Sequence, residues 1–139
     1  MNAVRKEQVE VGQELPALKL PPITRTTLAL FAGASGDHNP IHIDIDFAKS
    51  AGMPDVFAHG MLSMAYLGRF LTQWVPQSQL RHFAVRFSAI TPVHAKLTCS
   101  GKVAELLERD GVALAKLEIG VVDEKGEVKL AGDALVALA

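Results

Sequence analysis

The chain has 139 residues, 49% of them apolar and 21% charged, with a formal net charge of −1. That length suits one domain with a single core, the near-neutral balance excludes an electrostatic drive toward nucleic acid, and the apolar content excludes a disordered chain. A lone cysteine, Cys99, allows no intrachain disulfide, and the N-terminal run Met1-Asn2-Ala3-Val4-Arg5-Lys6-Glu7 lacks the apolar stretch of a secretory signal, so a reducing cytoplasmic setting is expected. No apolar run reaches the roughly 18 residues that suggest a membrane span; Arg69 and Gln73 interrupt the richest one.

Residues 1–10 carry no clear period and are expected to form a flexible N-terminus, ahead of a single domain over 11–139. An extended piece near Leu15–Leu20, kept short by Pro16, Pro21 and Pro22, reads as an edge strand. Thr24 is placed to cap a helix with Leu28, Phe31 and Ala32 on one face, and Gly36 to stop it. Pro40 makes Asp37–Ile43 a loop, and a short helix follows around Asp46–Ala51, before Gly52 and Pro54. From Gly60 to Val75 the apolar residues leave no wholly polar face, so the first half of this helix is expected to be buried on every side, with Pro76 ending it.

The second half changes from helical period to alternation. Phe83, Val85, Phe87 and Ala89 form one series and Leu97, Cys99, Gly101 and Val103 another. Arg109-Asp110-Gly111 is a hairpin signal leading into Val112–Val121, and the turn residues 123–127 lead into Val128–Leu138. A meandering antiparallel sheet of five to six strands, curved around one long helix, is α+β; the hot-dog arrangement has this form, and other helix-on-sheet arrangements fit the same pattern. Val128–Leu138 has little polar cover and is expected to leave an apolar edge.

The polar chemistry concentrates in Ser35-Gly36-Asp37-His38-Asn39-Pro40-Ile41-His42. Asp37 and His42, five residues apart on a loop restricted by Pro40, can share a water as an acid/base pair. The same residue types also suit a turn in which Asp37 and Asn39 cap backbone groups while His42 fills a polar niche. A second junction, Ala58-His59-Gly60-Met61, opens the apolar helix. Free N–H groups there, with a glycine that admits close approach, suit a carbonyl oxygen gaining negative charge; close packing at a buried helix start is the alternative, and His59 reads as supporting. His38, His42, Asp44 and Asp46 are metal-ligand types, but Pro40 breaks the run and no metal is expected. Cys99 has no activating neighbour.

These residues resemble the MaoC-like dehydratases, which include the (R)-specific enoyl-CoA hydratases. The likeness runs from about Val11 to the C-terminus and is strongest in FAGASGDHNPIHIDIDFAKSAG and VFAHGML. The family motif, an Asp, four residues and a His within Ser-Gly-Asp-x-Asn-Pro-x-His, is matched by Ser35, Gly36, Asp37, Asn39, Pro40 and His42. The resemblance implies a hot-dog fold and reversible syn hydration of trans-2-enoyl thioesters to (3R)-3-hydroxyacyl thioesters. It implies that Asp37 and His42 activate water and that the Gly60 N–H binds the thioester carbonyl, with Asn39 orienting the loop and Ser35 and His59 supporting it. It implies no cofactor, an acyl-CoA or acyl carrier protein thioester as substrate, and a homodimer or a heterodimer with a related hot-dog subunit. The scattered Arg81, Arg86 and Lys102 do not separate the two carriers. A non-catalytic hot-dog subunit would not need Asp37 and His42 together; a hot-dog thioesterase would need water aimed at the carbonyl carbon instead.

Overall fold

The computed structural model describes residues 1–139. Its elements are β1 (Leu18–Lys19), α1 (Arg25–Ser35), α2 (Ile45–Ser50), α3 (Gly60–Trp74), β2 (Leu80–Phe87), β3 (Thr98–Arg109), β4 (Val112–Val122) and β5 (Val128–Ala137). Short-range chemistry sets their limits. The Thr24 hydroxyl accepts the Thr27 N–H to cap α1, and Gly36 ends it with φ 77, in the left-handed region that glycine enters without strain. Asp110 (φ 52) and Gly111 (φ 77) make the tight turn between β3 and β4.

The strands form one curled antiparallel sheet in the order β1-β3-β4-β5-β2. It has five strands, the lower of the two numbers expected, and it is a meander only from β3 to β5. β2 does not lie beside β3: it crosses to the far side and pairs with β5, Val85 opposite Gly132. Consequently β5 is an interior strand and its apolar residues are covered by β4 and β2. The uncovered edge expected over Val128–Leu138 lies instead at β2. At the other end, Leu18 pairs with Cys99 and the isolated Glu14–Lys102 bridge extends that short edge.

The central helix α3 lies on the sheet with Leu67, Phe70 and Leu71 buried, each contributing about 1.5–3 kcal/mol of burial free energy. Its first half is not enclosed on every side. Leu62 and Ser63 face the core, but Met61 is 54% exposed and Ala65 is exposed. A single sheet covers one side of a helix only, and the apolar residues on the far side line a cavity described below.

The expectation of a flexible N-terminus over 1–10 also narrows. The Lys6 N–H donates to the Ala139 carbonyl (3.1 Å) and the Ala139 N–H to the Val4 carbonyl (3.0 Å). Buried Gln79 accepts the Val4 N–H and donates to the carbonyls of Val4 and Ala137. From Val4 onward the segment is tied to the end of the sheet.

Candidate active site

Where α1 stops, three side chains hold the next turn through their own backbone. The Ser35 hydroxyl accepts the Asp37 N–H (3.2 Å), Asp37 Oδ1 accepts the Asn39 N–H (3.2 Å), and Asn39 Oδ1 accepts the Ile41 N–H (3.1 Å). Pro40 then starts a single 3₁₀ turn over Pro40–His42. This ladder turns His42 inward, 8% exposed, and leaves Asp37 Oδ2 free beside it. Capping the turn thus occupies only one Asp37 oxygen, Oδ1, and Oδ2 stays available beside His42.

The His42 ring is held in one tautomer. Its Nδ1 lies 2.7 Å from the Phe57 carbonyl, which can only accept, so Nδ1 carries the proton. Nε2 is left with its lone pair, 3.9 Å from Asp37 Oδ2. His59 stacks on His42 at 3.9 Å between ring centroids, 28° from parallel, and Phe31 meets it edge-on at 5.0 Å. His59 Nε2 donates to the Asp37 main-chain carbonyl (3.2 Å), while its buried Nδ1 has no partner. His59 therefore supports the loop from behind.

Burial holds the His59 imidazole below its ordinary value, against the smaller opposing effect of the Asp37 carbonyl. The folded state resists a proton that the unfolded chain takes up near pH 6.5, so this stability is present above that pH and is lost as pH falls through it. Asp55, Asp123 and Glu124, which the fold also holds low, act in the same direction only around pH 4 and below. The melting temperature is expected to fall between about pH 7.5 and 5.5, and to fall less in His59→Gln. Equal slopes in the two proteins would assign the effect to another group.

Asp37, His42 and His59 bring donor atoms within 4.8 Å of one another, a spacing that suits a metal. The ring geometry does not. An imidazole binds an ion in its own plane, and two stacked rings 28° from parallel share no nearby point in both planes.

The second junction comes from α3. No side chain caps the helix start, and the N–H groups of Gly60 and Met61 find no acceptor in the chain. This is the positive end of the helix dipole. A Cβ at Gly60 would sit 2.8 Å from the Phe87 ring, so glycine is what lets that ring lie against the backbone here. Two cavities flank the junction. One, of about 480 Å³, has Asp37, Phe31, Met61, Met64 and Phe83 in its wall; the other, of about 340 Å³, has Gly60, Phe57, Phe87, Ile90 and Thr91. The structure thus gathers Ser35, Asp37, Asn39, His42, His59 and Gly60 around one helix start. The Phe57 carbonyl, which sets the His42 tautomer, carries no signal in the sequence because every residue has a carbonyl.

A curled antiparallel sheet around a central helix defines a hot-dog protein. The family model for the MaoC like domain matches residues 6–124, and the chain belongs to that family. It is similar to the (R)-specific enoyl-CoA hydratase of Aeromonas caviae, 26% identical over 132 residues covering 95% of this chain and 97% of the relative. It is also similar to 3-hydroxyacyl-thioester dehydratase X of Mycobacterium tuberculosis, 37% identical over 93 residues; that match covers 63% of this chain and 32% of the relative, so the chain spans about a third of the longer protein. Among solved structures, R-hydratase PhaJ1 of Pseudomonas aeruginosa superposes with a TM-score of 0.84 at 26% identity, over 98% of this chain and 86% of the other.

Proposed function

We propose that the chain catalyses the reversible hydration of trans-2-enoyl thioesters to (3R)-3-hydroxyacyl thioesters, carried on CoA or on acyl carrier protein. The observation that carries this reading is the pair of acceptors, His42 Nε2 and Asp37 Oδ2, 3.9 Å apart. Two acceptors at that distance suit a molecule with two O–H bonds, and water placed there faces the cavity that Asp37 lines. As the water oxygen bonds to C3, the pair takes one of its protons and returns one to C2 from the same side, which gives syn addition with no net change in protonation. Electron density moves to the thioester oxygen, where the Gly60 N–H and the positive helix end receive it. The thioester itself activates C2, so no cofactor is required. Ser35 and Asn39 hold the loop, and His59 holds the Asp37 carbonyl. The names of the Aeromonas and Mycobacterium relatives support the same chemistry.

Crotonyl-CoA is the direct test. Loss of the enoyl absorbance without release of free thiol is expected; thiol release at the same rate would make the protein a thioesterase, and no change in either would remove the activity.

The partner reading rests on β2. The sheet order leaves one side of Leu80–Phe87 without a neighbouring strand, and a second copy can continue the sheet there. A related hot-dog subunit could occupy the same edge. Sedimentation of the purified chain at micromolar concentration is expected to give about 30 kDa, twice the 14.9 kDa of one chain; a monodisperse single-chain species would remove the homodimer. No helix is long and apolar enough to cross a membrane. The buried, unpaired Cys99 suits the cytoplasm.

A further inference from the structure

Lys129 is the least expected residue in the core. It lies on β5 between Val128 and Leu130, and it is 2% exposed although it carries an ammonium group. Its Nζ donates to the Ile90 carbonyl (2.8 Å), pairs with Glu127, and lies 3.5 Å from Asp123 Oδ2. Asp123 is fixed in turn, because its Oδ1 accepts the N–H groups of Lys125 and Glu127 (2.9 Å each). A buried charge is tolerated only where such partners replace water. Its other contact is what links it to the site.

Ile90 belongs to the segment between β2 and β3 that walls the cavity at Gly60. One residue on, the Thr91 carbonyl accepts the Ala58 N–H (2.8 Å), and Phe57 bridges to Pro92. Phe57 is the residue whose carbonyl holds the His42 Nδ1 proton, and Ala58 precedes His59 and Gly60. The Lys129 backbone anchors the start of the same segment, since its carbonyl accepts the Ser88 N–H (2.8 Å). The ammonium is thus two hydrogen-bonded contacts from the backbone that carries both halves of the site.

We propose that Lys129 is a positioning residue for the reaction: by holding the Ile90 carbonyl it fixes residues 88–92, and through Thr91 and Pro92 it fixes the Phe57 carbonyl against His42 and the Gly60 N–H beside its cavity. This rests on the reading of Asp37, His42 and Gly60 given above. Only a long cation reaches that carbonyl from β5 while neutralising the buried Asp123; an apolar side chain of the same length would leave the Ile90 carbonyl and Asp123 Oδ2 without this partner, whereas the exposed Glu127 carboxylate can turn to water.

The test is Lys129→Met, with Lys129→Arg as the variant that keeps a cationic donor. Histidine ¹⁵N chemical shifts report the tautomer of His42 directly, without substrate. The native protein is expected to show only the Nδ1–H form. In Lys129→Met the Nε2–H form should appear, and crotonyl-CoA turnover should fall about tenfold or more with a smaller change in KM. Lys129→Arg should restore both in part. A folded Lys129→Met protein with the native His42 tautomer and native turnover would overturn the proposal. If that variant does not fold, Asp123→Asn is added to remove the stranded carboxylate; failure of the double variant as well would make Lys129 a folding requirement and overturn the positioning role. A tautomer change in a protein that never hydrates crotonyl-CoA would leave Lys129 as the anchor of His42 and sink the hydratase reading alone.

Discussion

Asp37→Asn and His42→Ala are each expected to lower hydration turnover by about 10²- to 10⁴-fold, the range for losing a positioned acid or base. The two substitutions act differently. In Asp37→Asn the amide oxygen can still accept the Asn39 N–H, so the turn survives, while the NH₂ takes the place of Oδ2 and presents a donor to the His42 lone pair. The Asp37 side chain is 52% exposed, so no buried group is lost. His42→Ala removes a buried ring and leaves the Phe57 carbonyl without its donor, which should cost about 1–3 kcal/mol of stability as well as turnover. Steady-state assay with crotonyl-CoA and thermal melting separate the two effects. If the residues share one water, the double variant is no slower than the slower single variant. Either single variant keeping near-native turnover would remove the pair from the mechanism.

Gly60→Pro is expected to lower turnover by about 10²- to 10³-fold, because it deletes the N–H offered to the thioester oxygen. Proline suits this place in the backbone: it is the first helical position, and His59 already has φ −57 and ψ 133, the extended conformation favoured before proline. The obstacle is Phe87, whose ring lies 2.8 Å from where a Cβ would be, but Phe87 is 54% exposed and has room to swing outward. Gly60→Ala displaces the same ring and keeps the N–H. The difference between the Ala and Pro variants therefore isolates the hydrogen bond from the steric effect. Folded Ala and Pro variants with equal turnover would show that the thioester oxygen is polarised elsewhere.

What could be read in the sequence was local. Thr24 and Gly36 bound α1 because a cap and a left-handed stop act within one turn, Asp110-Gly111 marks its turn for the same reason, and Gly60 and Pro76 enclose α3. Ser35, Asp37, Asn39 and His42 stood out because their spacing is itself the structure of the loop. The pairing of β2 with β5 was not legible, since alternation tells which face a strand buries and not which strand lies beside it. Lys129 was hidden for a related reason. A lysine within an alternating strand reads as solvent-facing, and its partners come from a turn and a loop that only the folded sheet brings together. The exposed face of α3 was missed because its apolar residues look the same whether they meet a core or a cavity.

The contacts that assemble the site join distant parts of the chain: His42 to Phe57, His59 to Asp37, and Ala58 to Thr91. Each closes a loop whose entropy must be surrendered before its bond gives anything back, and the last depends on β2 being seated against β5, near the end of the chain. No early, locally ordered fragment can bring His42 and Gly60 together. Helix α1 and the Asp110-Gly111 hairpin can form within microseconds on their own, but the proposed site must wait for the slow long-range sheet closure. After dilution from denaturant, activity and burial of the single Trp74 should therefore recover with one rate constant, later than the helical signal.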